Sequence, residues 1–222
     1  MHTHLQRIRF KLCGLTRLVD IPPVVNSGAD AIGLVFYPHS KRYVSIEQAA
    51  QLCAQIPAFV TVTALFVNPE ADFVNEVIAQ TKVDLLQFHG DESPDFCRQF
   101  SRPYIKAFRI GAPGHQTATE LIARCRQFHD ARGWLFDSYT PAYGGSGVAF
   151  DEHIFITLQK LCDSADAPLI VAGGLNAQNI KEKVKKLRPF AVDVSSGIEL
   201  SPGIKCPTKI TAFVQAFNAA RD

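Results

Sequence analysis

Residues 168–195, PLIVAGGLNAQNIKEKVKKLRPFAVDVS, hold a strand, a glycine turn, a helix and a second strand in one continuous stretch. The runs PLIVA and FAVDVS are almost continuous in apolar residues, a pattern typical of parallel strands that are covered on both faces. Between them, NAQNIKEKVKKL has a helical pattern and begins with Asn, a residue that favours helix starts. The stretch therefore predicts a strand–helix–strand unit of a parallel sheet.

The same alternation continues through the rest of the chain. Six earlier runs rich in Val, Ile, Phe and Leu are predicted strands, at 7–12, 31–36, 60–66, 83–88, 104–108 and 133–137. Predicted helices lie between or after the strands at 45–56, 69–80, 93–100, 115–128, 151–161 and 207–220. The first connection, residues 15–28, should also be helical, but we expect Pro22 and Pro23 to break its middle and leave a short or kinked element.

This order of elements predicts the fold. Eight strands that alternate with helices over 222 residues, without a linker or low-complexity stretch, predict an α/β fold with a single eight-stranded parallel β/α (TIM) barrel. We expect residues 1–222 to form one catalytic domain. An open doubly wound sheet is the alternative. It would usually carry a G-x-G-x-x-G turn after its first strand, and KLCGLT at 11–16 does not match that pattern.

Composition and charge exclude several classes of protein. With 47% hydrophobic and 20% charged residues, the chain has the composition of a folded globular protein and not of a disordered or collagen-like one. Its formal charge of +2 is far from the strongly basic balance of a nucleic-acid binder. No apolar run approaches the roughly 20 residues needed to cross a bilayer. We therefore expect no nucleic-acid or membrane partner, and any local positive potential should serve a small anion.

Cysteine spacing bears on compartment and metal binding. The six cysteines are scattered without a C-x-x-C pair, which fits neither a zinc site nor a disulfide framework. A reducing compartment is the simpler interpretation. The start of the chain, MHTHLQRIRFKLCG, has no long apolar run followed by a small-residue cleavage site, so no secretory signal is predicted. We expect a cytoplasmic protein without a bound metal.

Glycine-rich stretches follow three consecutive predicted strands. In a barrel the active site lies at the carboxyl ends of the strands, and a phosphate site is often built after the last two. Glycine lets backbone N–H groups approach an anion closely, and a helix start adds a favourable dipole. Each stretch alone could be only a tight turn, but three together favour a phosphate site. The residues concerned are Gly173 and Gly174, Ser196 and Gly197, and the run Gly144, Gly145, Ser146 and Gly147.

Cys13 and Asp137 are the candidate catalytic residues. Cys13 ends the first strand, and Lys11 should face the same side and lower the pKa of the thiol, so that thiolate can act as base or nucleophile. Asp137 ends an apolar strand, where an unpaired carboxylate is costly unless it has a role. These two strand ends should face each other across the barrel mouth, which suits an acid and a base. The alternatives are a small buried cysteine and an aspartate that braces the next loop.

Arg42 and His89 are candidate substrate-binding residues. Arg42 lies in the loop HSKRYV and could bind a carboxylate through two hydrogen bonds, although most arginines are solvated surface charges. His89, in QFHGDE, could be a donor, a metal ligand or a structural hydrogen bonder. Because no second His lies at ligand spacing, we discount the metal. Asp193, inside the last strand, should brace the barrel interior.

Taken together, these motifs resemble the phosphoribosylanthranilate isomerase family over essentially the whole chain. None of them is decisive alone, but their joint order is highly specific. The matching stretches, in the family's order, are KLCG at 11–14, GADAIGLVF at 28–36, SKRYVS at 40–45, LFVN at 65–68, QFHGDE at 87–92, LFDS at 135–138, GGSGVAFD at 144–151, VAGGLN at 171–176, DVSSGIE at 193–199 and SPGIK at 201–205.

The resemblance implies an Amadori rearrangement in tryptophan biosynthesis. N-(5-phosphoribosyl)anthranilate would become 1-(2-carboxyphenylamino)-1-deoxyribulose 5-phosphate, with no cofactor or metal. The family's general base falls on Cys13, its general acid on Asp137 and its carboxylate-binding arginine on Arg42. Its phosphate loops fall on the glycine-rich stretches named above. Since the chain has no second barrel, it would be the stand-alone enzyme, monomeric or homodimeric, and not a fusion with indole-glycerol-phosphate synthase.

The chain departs from the family's pattern at three places, and the residues alone leave other functions open. Lys41 stands where many relatives have Pro, Cys206 stands where Asp is common, and Pro22-Pro23 interrupt an ordinary helix. One alternative is another sugar-phosphate isomerase or epimerase, which would be expected to show paired acids or metal-ligand histidines. The other is a non-catalytic barrel that binds a phosphorylated ligand, which would need neither catalytic candidate.

Overall fold

Eight parallel strands close into a barrel in the computed structural model, which describes residues 7–138 and 151–220. Each strand pairs with the next one along the chain, and β8 pairs with β1 to complete the ring. The predicted TIM barrel is confirmed, and the open doubly wound sheet is wrong. The strands are β1 Arg9–Cys13, β2 Ala31–Val35, β3 Thr61–Phe66, β4 Leu85–Phe88, β5 Tyr104–Ile110, β6 Trp134–Ser138, β7 Leu169–Val171 and β8 Ala191–Val194.

Helices follow the strands, and their apolar faces pack on the outside of the barrel. Side chains cap several of them: Ser45 and Ser93 accept backbone N–H groups, and Thr117 and Glu120 form a capping box. Among the described residues, every helix is too short or too polar to cross a membrane. The helices are α1 Ile21–Asn26, α2 Ile46–Cys53, α3 Ala71–Gln80, α4 Pro94–Arg98, α5 Ala118–Cys125, α6 Glu152–Leu161, α7 Ile180–Leu187 and α8 Pro207–Asn218.

Pro22 and Pro23 start the first helix instead of breaking it. Both lie in the first turn of α1, where a backbone N–H has no partner within the helix, so the ring costs no hydrogen bond. A single 3-10 turn, Leu18–Asp20, precedes them. The short element is confirmed, but the predicted break in its middle is wrong because the helix begins where the prolines are.

A small antiparallel hairpin stands between β8 and the last helix and has no counterpart among the predicted strands. It consists of β9 Glu199–Ser201 and β10 Ile204–Lys205. The hydroxyl of Thr16 donates to the carbonyl of Gly203 at 2.6 Å, which holds the tip of the hairpin against the loop after β1. Between β8 and the hairpin there is only one 3-10 turn, Ser196–Ile198. The hairpin therefore reaches back over the carboxyl end of the first strand.

The hydrophobic core lies mostly between the barrel and its helices. Aromatic rings from neighbouring strands stack there, with ring centroids 5.5 Å apart for Phe36 and Phe66 and 5.8 Å apart for Phe108 and Phe136. Such offset pairs add stability beyond the apolar area that they bury. A smaller apolar cluster fills the barrel interior on the side of β5, β6 and β7, and consists of Ile105, Ala107, Leu135 and Ala172.

Polar side chains occupy the opposite side of the barrel interior. Lys11 on β1 donates to Asp193 on β8 with 2.7 Å between Nζ and Oδ2, and both side chains are buried. The two residues are also direct neighbours in the β1–β8 register. Because a buried charge is costly unless it is paired, this ion pair favours the closed ring over a sheet with two edges. The bracing role predicted for Asp193 is confirmed.

A second buried ion pair holds the loop after β4. The ammonium of Lys106 on β5 lies 3.0 Å from Oε2 of Glu92 and also donates to the carbonyl of Gly90 at 2.7 Å. The carboxylate of Glu92 accepts the backbone N–H groups of Asn68 and Gly90 in turn. This network fixes the short segment that carries His89.

Replacing Lys106 with Met should lower the free energy of unfolding by about 3–5 kcal/mol, because Glu92 would be left buried without a cation. The measurement is urea-induced unfolding. Asp95→Asn is the control, since the carboxylate of the Arg98–Asp95 pair is 91% exposed and an exposed pair contributes less than about 1 kcal/mol. A loss for Lys106→Met no larger than for the control would show that the buried pair does not stabilise this loop.

Candidate active site

A cleft that is open to solvent lies at the carboxyl ends of the barrel strands. Gly197 lies beside this cleft and not in its lining. Gly144 and Gly145 belong to the stretch outside the described residues. The structure thus brings together most of the predicted site. The predicted residues that line the cleft are Cys13, Arg42, His89, Asp137, Gly173, Gly174 and Ser196.

Cys13 points into the barrel at the floor of the cleft. Its neighbour on β2 is Gly33, and a Cβ at that position would lie only 2.5 Å from Sγ of Cys13 and 3.1 Å from Nζ of Lys11. The missing side chain on β2 makes room for both groups. Lys11 and Cys13 therefore face the same side, as predicted.

Burial raises the pKa of the Cys13 thiol above its ordinary value, and the neighbouring Lys11 ammonium offsets this effect only in part. The carboxylate of Asp193, which shares the charge of Lys11, raises the thiol pKa as well. Lys11 lowers the thiol pKa as expected, but the expected net decrease is wrong, because desolvation of the thiolate outweighs the attraction. A raised pKa favours the protonated thiol over the thiolate at neutral pH.

Asp137 and His89 meet on the opposite wall of the cleft. Oδ1 of Asp137 accepts the N–H of Ser138 at 2.8 Å, and Oδ2 lies 3.4 Å from Nε2 of His89. Nδ1 of His89 lies 3.0 Å from the amide nitrogen of Gln87. Since an amide N–H₂ donates, Nδ1 is the acceptor and the ring proton sits on Nε2, facing the carboxylate.

His89 therefore faces Asp137 at 3.4 Å, while its buried Nε2 makes no hydrogen bond within the described residues. Within residues 7–138 and 151–220, no three His, Cys, Asp or Glu side chains are arranged to hold a metal ion. The imidazole of His89 contacts the side chains of Asp137 and Gln87.

The two described glycine loops touch each other at the edge of the cleft. Gly173 has a φ of +86°, and a Cβ there would lie 2.5 Å from Oδ1 of Asp137. A Cβ on Gly197 would lie 2.0 Å from the carbonyl oxygen of Leu175, so the loops after β7 and β8 pack backbone against backbone. The helix starts predicted here are less regular, because α7 begins only at Ile180 and Ser196 begins a single 3-10 turn. Backbone approach, more than a helix dipole, favours an anion at this edge.

Arg42 is held in the cleft wall by a carboxylate of the same chain. Its Nε and Nη2 donate to the two oxygens of Glu199 at 3.0 and 2.7 Å, and the arginine side chain is only 12% exposed. Lys205 donates to the same carboxylate at 2.7 Å. The alternative of a solvated surface charge is therefore wrong for Arg42.

Comparison with known proteins identifies the family to which this barrel and cleft belong. The family model for N-(5'-phosphoribosyl)anthranilate (PRA) isomerase matches residues 10–216. This chain belongs to the phosphoribosylanthranilate isomerase family. The N-(5'-phosphoribosyl)anthranilate isomerase of Bordetella pertussis is 52% identical over 213 residues, which cover 96% of this chain and 97% of the relative.

Solved structures of phosphoribosylanthranilate isomerases have the same fold. The crystal structure of the Thermotoga maritima protein is 35% identical to this chain, with a TM-score of 0.84 over 96% of this chain and 99% of that one. Another solved phosphoribosylanthranilate isomerase, 31% identical with a TM-score of 0.79 and the same two coverages, is in complex with reduced 1-(o-carboxyphenylamino)-1-deoxyribulose 5-phosphate. The resemblance seen in the motifs is confirmed.

Two charged residues of this phosphoribosylanthranilate isomerase site are missing from the predictions. Glu199 and Lys205 lie in the quoted motifs 193–199 and 201–205, but nothing in their spacing shows that they meet Arg42. A usable signal is the Pro202-Gly203 dipeptide between Glu199 and Lys205, because Pro-Gly marks a tight turn. Their partners become visible only once β9 and β10 are placed.

Cys13 and Cys206 should ionise on opposite sides of the ordinary thiol pKa of about 8.5. Burial raises the pKa of Cys13, whereas hydrogen bonds from Thr208 and from backbone N–H groups at the start of α8 lower that of Cys206. The measurement is the ultraviolet absorbance of thiolate against pH in wild type, Cys13→Ser and Cys206→Ser.

The sign of the matching stability effect follows from linkage. Because the folded pKa of Cys13 is raised, its contribution to stability is complete below the ordinary thiol pKa and is lost as pH rises above it. As pH rises above the ordinary thiol pKa, the free energy of unfolding should therefore fall less in Cys13→Ser than in wild type. The absorbance change that disappears in Cys13→Ser reports the titration of Cys13, and the one that disappears in Cys206→Ser reports that of Cys206. If the midpoint for Cys13 lies at lower pH than the midpoint for Cys206, desolvation does not dominate at Cys13.

Proposed function

We propose that this protein converts N-(5'-phosphoribosyl)anthranilate into 1-(2-carboxyphenylamino)-1-deoxyribulose 5-phosphate, a step of tryptophan biosynthesis. One observation carries the proposal: Cys13 on β1 and Asp137 on β6 line the same cleft from strands that are three places apart around the ring. A thiol and a carboxylic acid so placed can act on opposite sides of one small substrate. The names of the relatives and the reduced product bound in one of them support the same reaction.

Substrate binding uses the ends of the cleft. Its phosphate would lie against Gly173 and Gly174 and against the loop of Ser196 and Gly197, where backbone N–H groups can approach it closely. Its anthranilate carboxylate would lie on the guanidinium of Arg42. With the substrate bound at both ends, its sugar would lie across the middle of the cleft, between the acid and the base.

Asp137 acts first, as the general acid. It gives a proton to the ring oxygen of the ribose, the bond between that oxygen and C1 breaks, and the anthranilate nitrogen supplies the electron pair for a C1–N double bond. The open-chain product of this step is an iminium ion. His89, with Nε2 3.4 Å from Oδ2, keeps the carboxyl group directed into the cleft.

Cys13 acts second, as the general base. The positive iminium next to C2 favours the thiolate, which offsets the raised pKa of the buried thiol, and the thiol proton passes to solvent in the cleft. The thiolate takes the proton from C2, a C1–C2 double bond forms, and the nitrogen recovers its electron pair. The resulting enolamine becomes the ketose when C1 gains a proton and the C2 hydroxyl loses one.

The setting of this reaction follows from the composition and the cleft. We propose a cytoplasmic enzyme whose catalytic domain spans residues 1–222, acting on a small-molecule substrate without nucleic acid, membrane, metal or cofactor. It would be a monomer or a homodimer. A solved relative from Thermotoga maritima is described as dimeric, and this description supports the homodimer.

The test is to supply phosphoribosylanthranilate and follow the loss of its fluorescence. Cys13→Ala and Asp137→Asn should each lower kcat by roughly 10²–10⁴, the usual effect of losing an acid or base. Cys97→Ala is the matched control, because Cys97 is fully buried on α4 and does not line the cleft. Its kcat should stay near wild type.

Two results would contradict the proposal at different levels. If wild type leaves the substrate fluorescence unchanged at every enzyme concentration, the protein does not have this activity. If wild type is active and Cys13→Ala turns over equally fast, the reaction occurs without Cys13 as its base.

A further inference from the structure

Three charged side chains form a buried cluster behind the wall of the cleft, named here the Arg42–Glu199–Lys205 cluster. Glu199 is 4% exposed and Lys205 is 1% exposed. The carboxylate of Glu199 accepts Nε and Nη2 of Arg42 from one side and Nζ of Lys205 from the other, at 3.0, 2.7 and 2.7 Å. The proposed mechanism uses only Arg42, so the roles of the other two are unassigned.

The way in which Glu199 holds Arg42 leaves part of the guanidinium available. A guanidinium has five N–H donors, and Glu199 occupies the edge formed by Nε and Nη2. The edge formed by Nη1 and the second proton of Nη2 can still bind a carboxylate through two parallel hydrogen bonds. Arg42 lines the cleft, which is where such a ligand would arrive.

The charge of the cluster matches an incoming anion. Burial by itself raises the pKa of Glu199, but the hydrogen bonds from Arg42 and Lys205 lower it further, so this group is a carboxylate. Burial lowers the pKa of Lys205, and the neighbouring carboxylate of Glu199 opposes that shift. With Lys205 protonated, one carboxylate between two cations leaves one net positive charge. Without Lys205 the Arg42–Glu199 pair would be neutral and would attract a substrate carboxylate less strongly.

The hairpin of β9 and β10 also connects this cluster to the catalytic base. Besides Glu199, Lys205 donates to the backbone carbonyl of Cys13, and the hydroxyl of Ser195 donates to the same oxygen at 3.0 Å. The N–H of Gly203 reaches Oε1 of Glu199 at 3.3 Å. The residue that would bind the carboxylate and the residue that would remove the C2 proton are therefore held by one set of contacts.

We propose that Glu199 is a positioning residue that fixes Arg42 for the anthranilate carboxylate, and that Lys205 keeps the cluster positive. This inference rests on the proposed function. Because Arg42 is ordered before the ligand arrives, binding does not have to immobilise its long side chain. Glu199 and Lys205 thereby determine the preference for a carboxylated aromatic amine over an uncharged one.

The test compares two ligands that differ only in the carboxylate. One is reduced 1-(o-carboxyphenylamino)-1-deoxyribulose 5-phosphate, and the other is its N-phenyl analogue, in which hydrogen replaces the carboxylate. Calorimetry gives the Kd of both for wild type and Glu199→Gln. The loss of one negative charge by itself favours the carboxylated ligand, but Arg42 is then no longer held in place. We therefore expect Glu199→Gln to weaken the carboxylated ligand roughly 10- to 100-fold and the phenyl ligand less than about twofold. In turnover, KM should rise while kcat changes little.

Controls separate positioning from general damage to the fold. Glu182→Gln, an exposed carboxylate on α7, should change neither affinity. In an Arg42→Met background, adding Glu199→Gln should have no further effect on the carboxylated ligand. Lys205→Met leaves the Arg42–Glu199 contact in place and should also weaken only the carboxylated ligand, which keeps the test decisive if Glu199→Gln does not fold.

The outcomes distinguish this inference from the proposed function. If wild type binds neither ligand and does not turn over phosphoribosylanthranilate, the proposed function is wrong. If wild type is active and prefers the carboxylated ligand, but Glu199→Gln and Lys205→Met weaken both ligands equally or neither, then the cluster only supports the fold and the positioning role is wrong.

Discussion

Within the described ranges three lysines are buried, and the ammonium of each lies within 3.0 Å of a carboxylate oxygen. The pairs are Lys11 with Asp193, Lys106 with Glu92, and Lys205 with Glu199. A buried charge without a partner is strongly destabilising, so each pair obliges two segments to meet. The Lys11 pair joins β1 to β8, and the Lys106 pair joins β5 to the loop after β4. The Lys205 pair joins β9 to β10, the two strands of the terminal hairpin. All three pairs lie close to the cleft, and the geometry of the cleft depends on them.

The interior of the barrel is divided in a way that suits this chemistry. On the side of β5 to β7 the interior is apolar, and Asp137 stands at its upper rim with a side chain that is 14% exposed. On the other side Lys11, Asp193 and Gln87 surround the approach to Cys13. Asp137 is therefore the more accessible of the two groups to a molecule in the cleft, while the Cys13 thiol is desolvated.

Sequence patterns predict the strands well, because continuous apolar runs such as PLIVA and FAVDVS belong to strands buried on both faces. They place Cys13, His89 and Asp137 correctly at or next to strand ends, and Arg42 in the loop after β2. They do not predict the hairpin, whose strands of three and two residues are too short for any period to show. Nor can they predict the net pKa direction at Cys13, since desolvation depends on what surrounds the thiol in three dimensions.

The pairing of β1 with β8 has a consequence for how the protein is made. Lys11 and Asp193 are 182 positions apart, so at a synthesis rate of roughly 5–20 residues per second the outer edge of β1 waits on the order of 10 s or more for its partner. An open strand edge invites pairing with other chains, and an inward-pointing charge is one device that discourages it. Until β8 emerges from the ribosome, Lys11 is such a charge. We therefore expect the lysine that later closes the ring also to discourage β1 of the nascent chain from pairing with other chains.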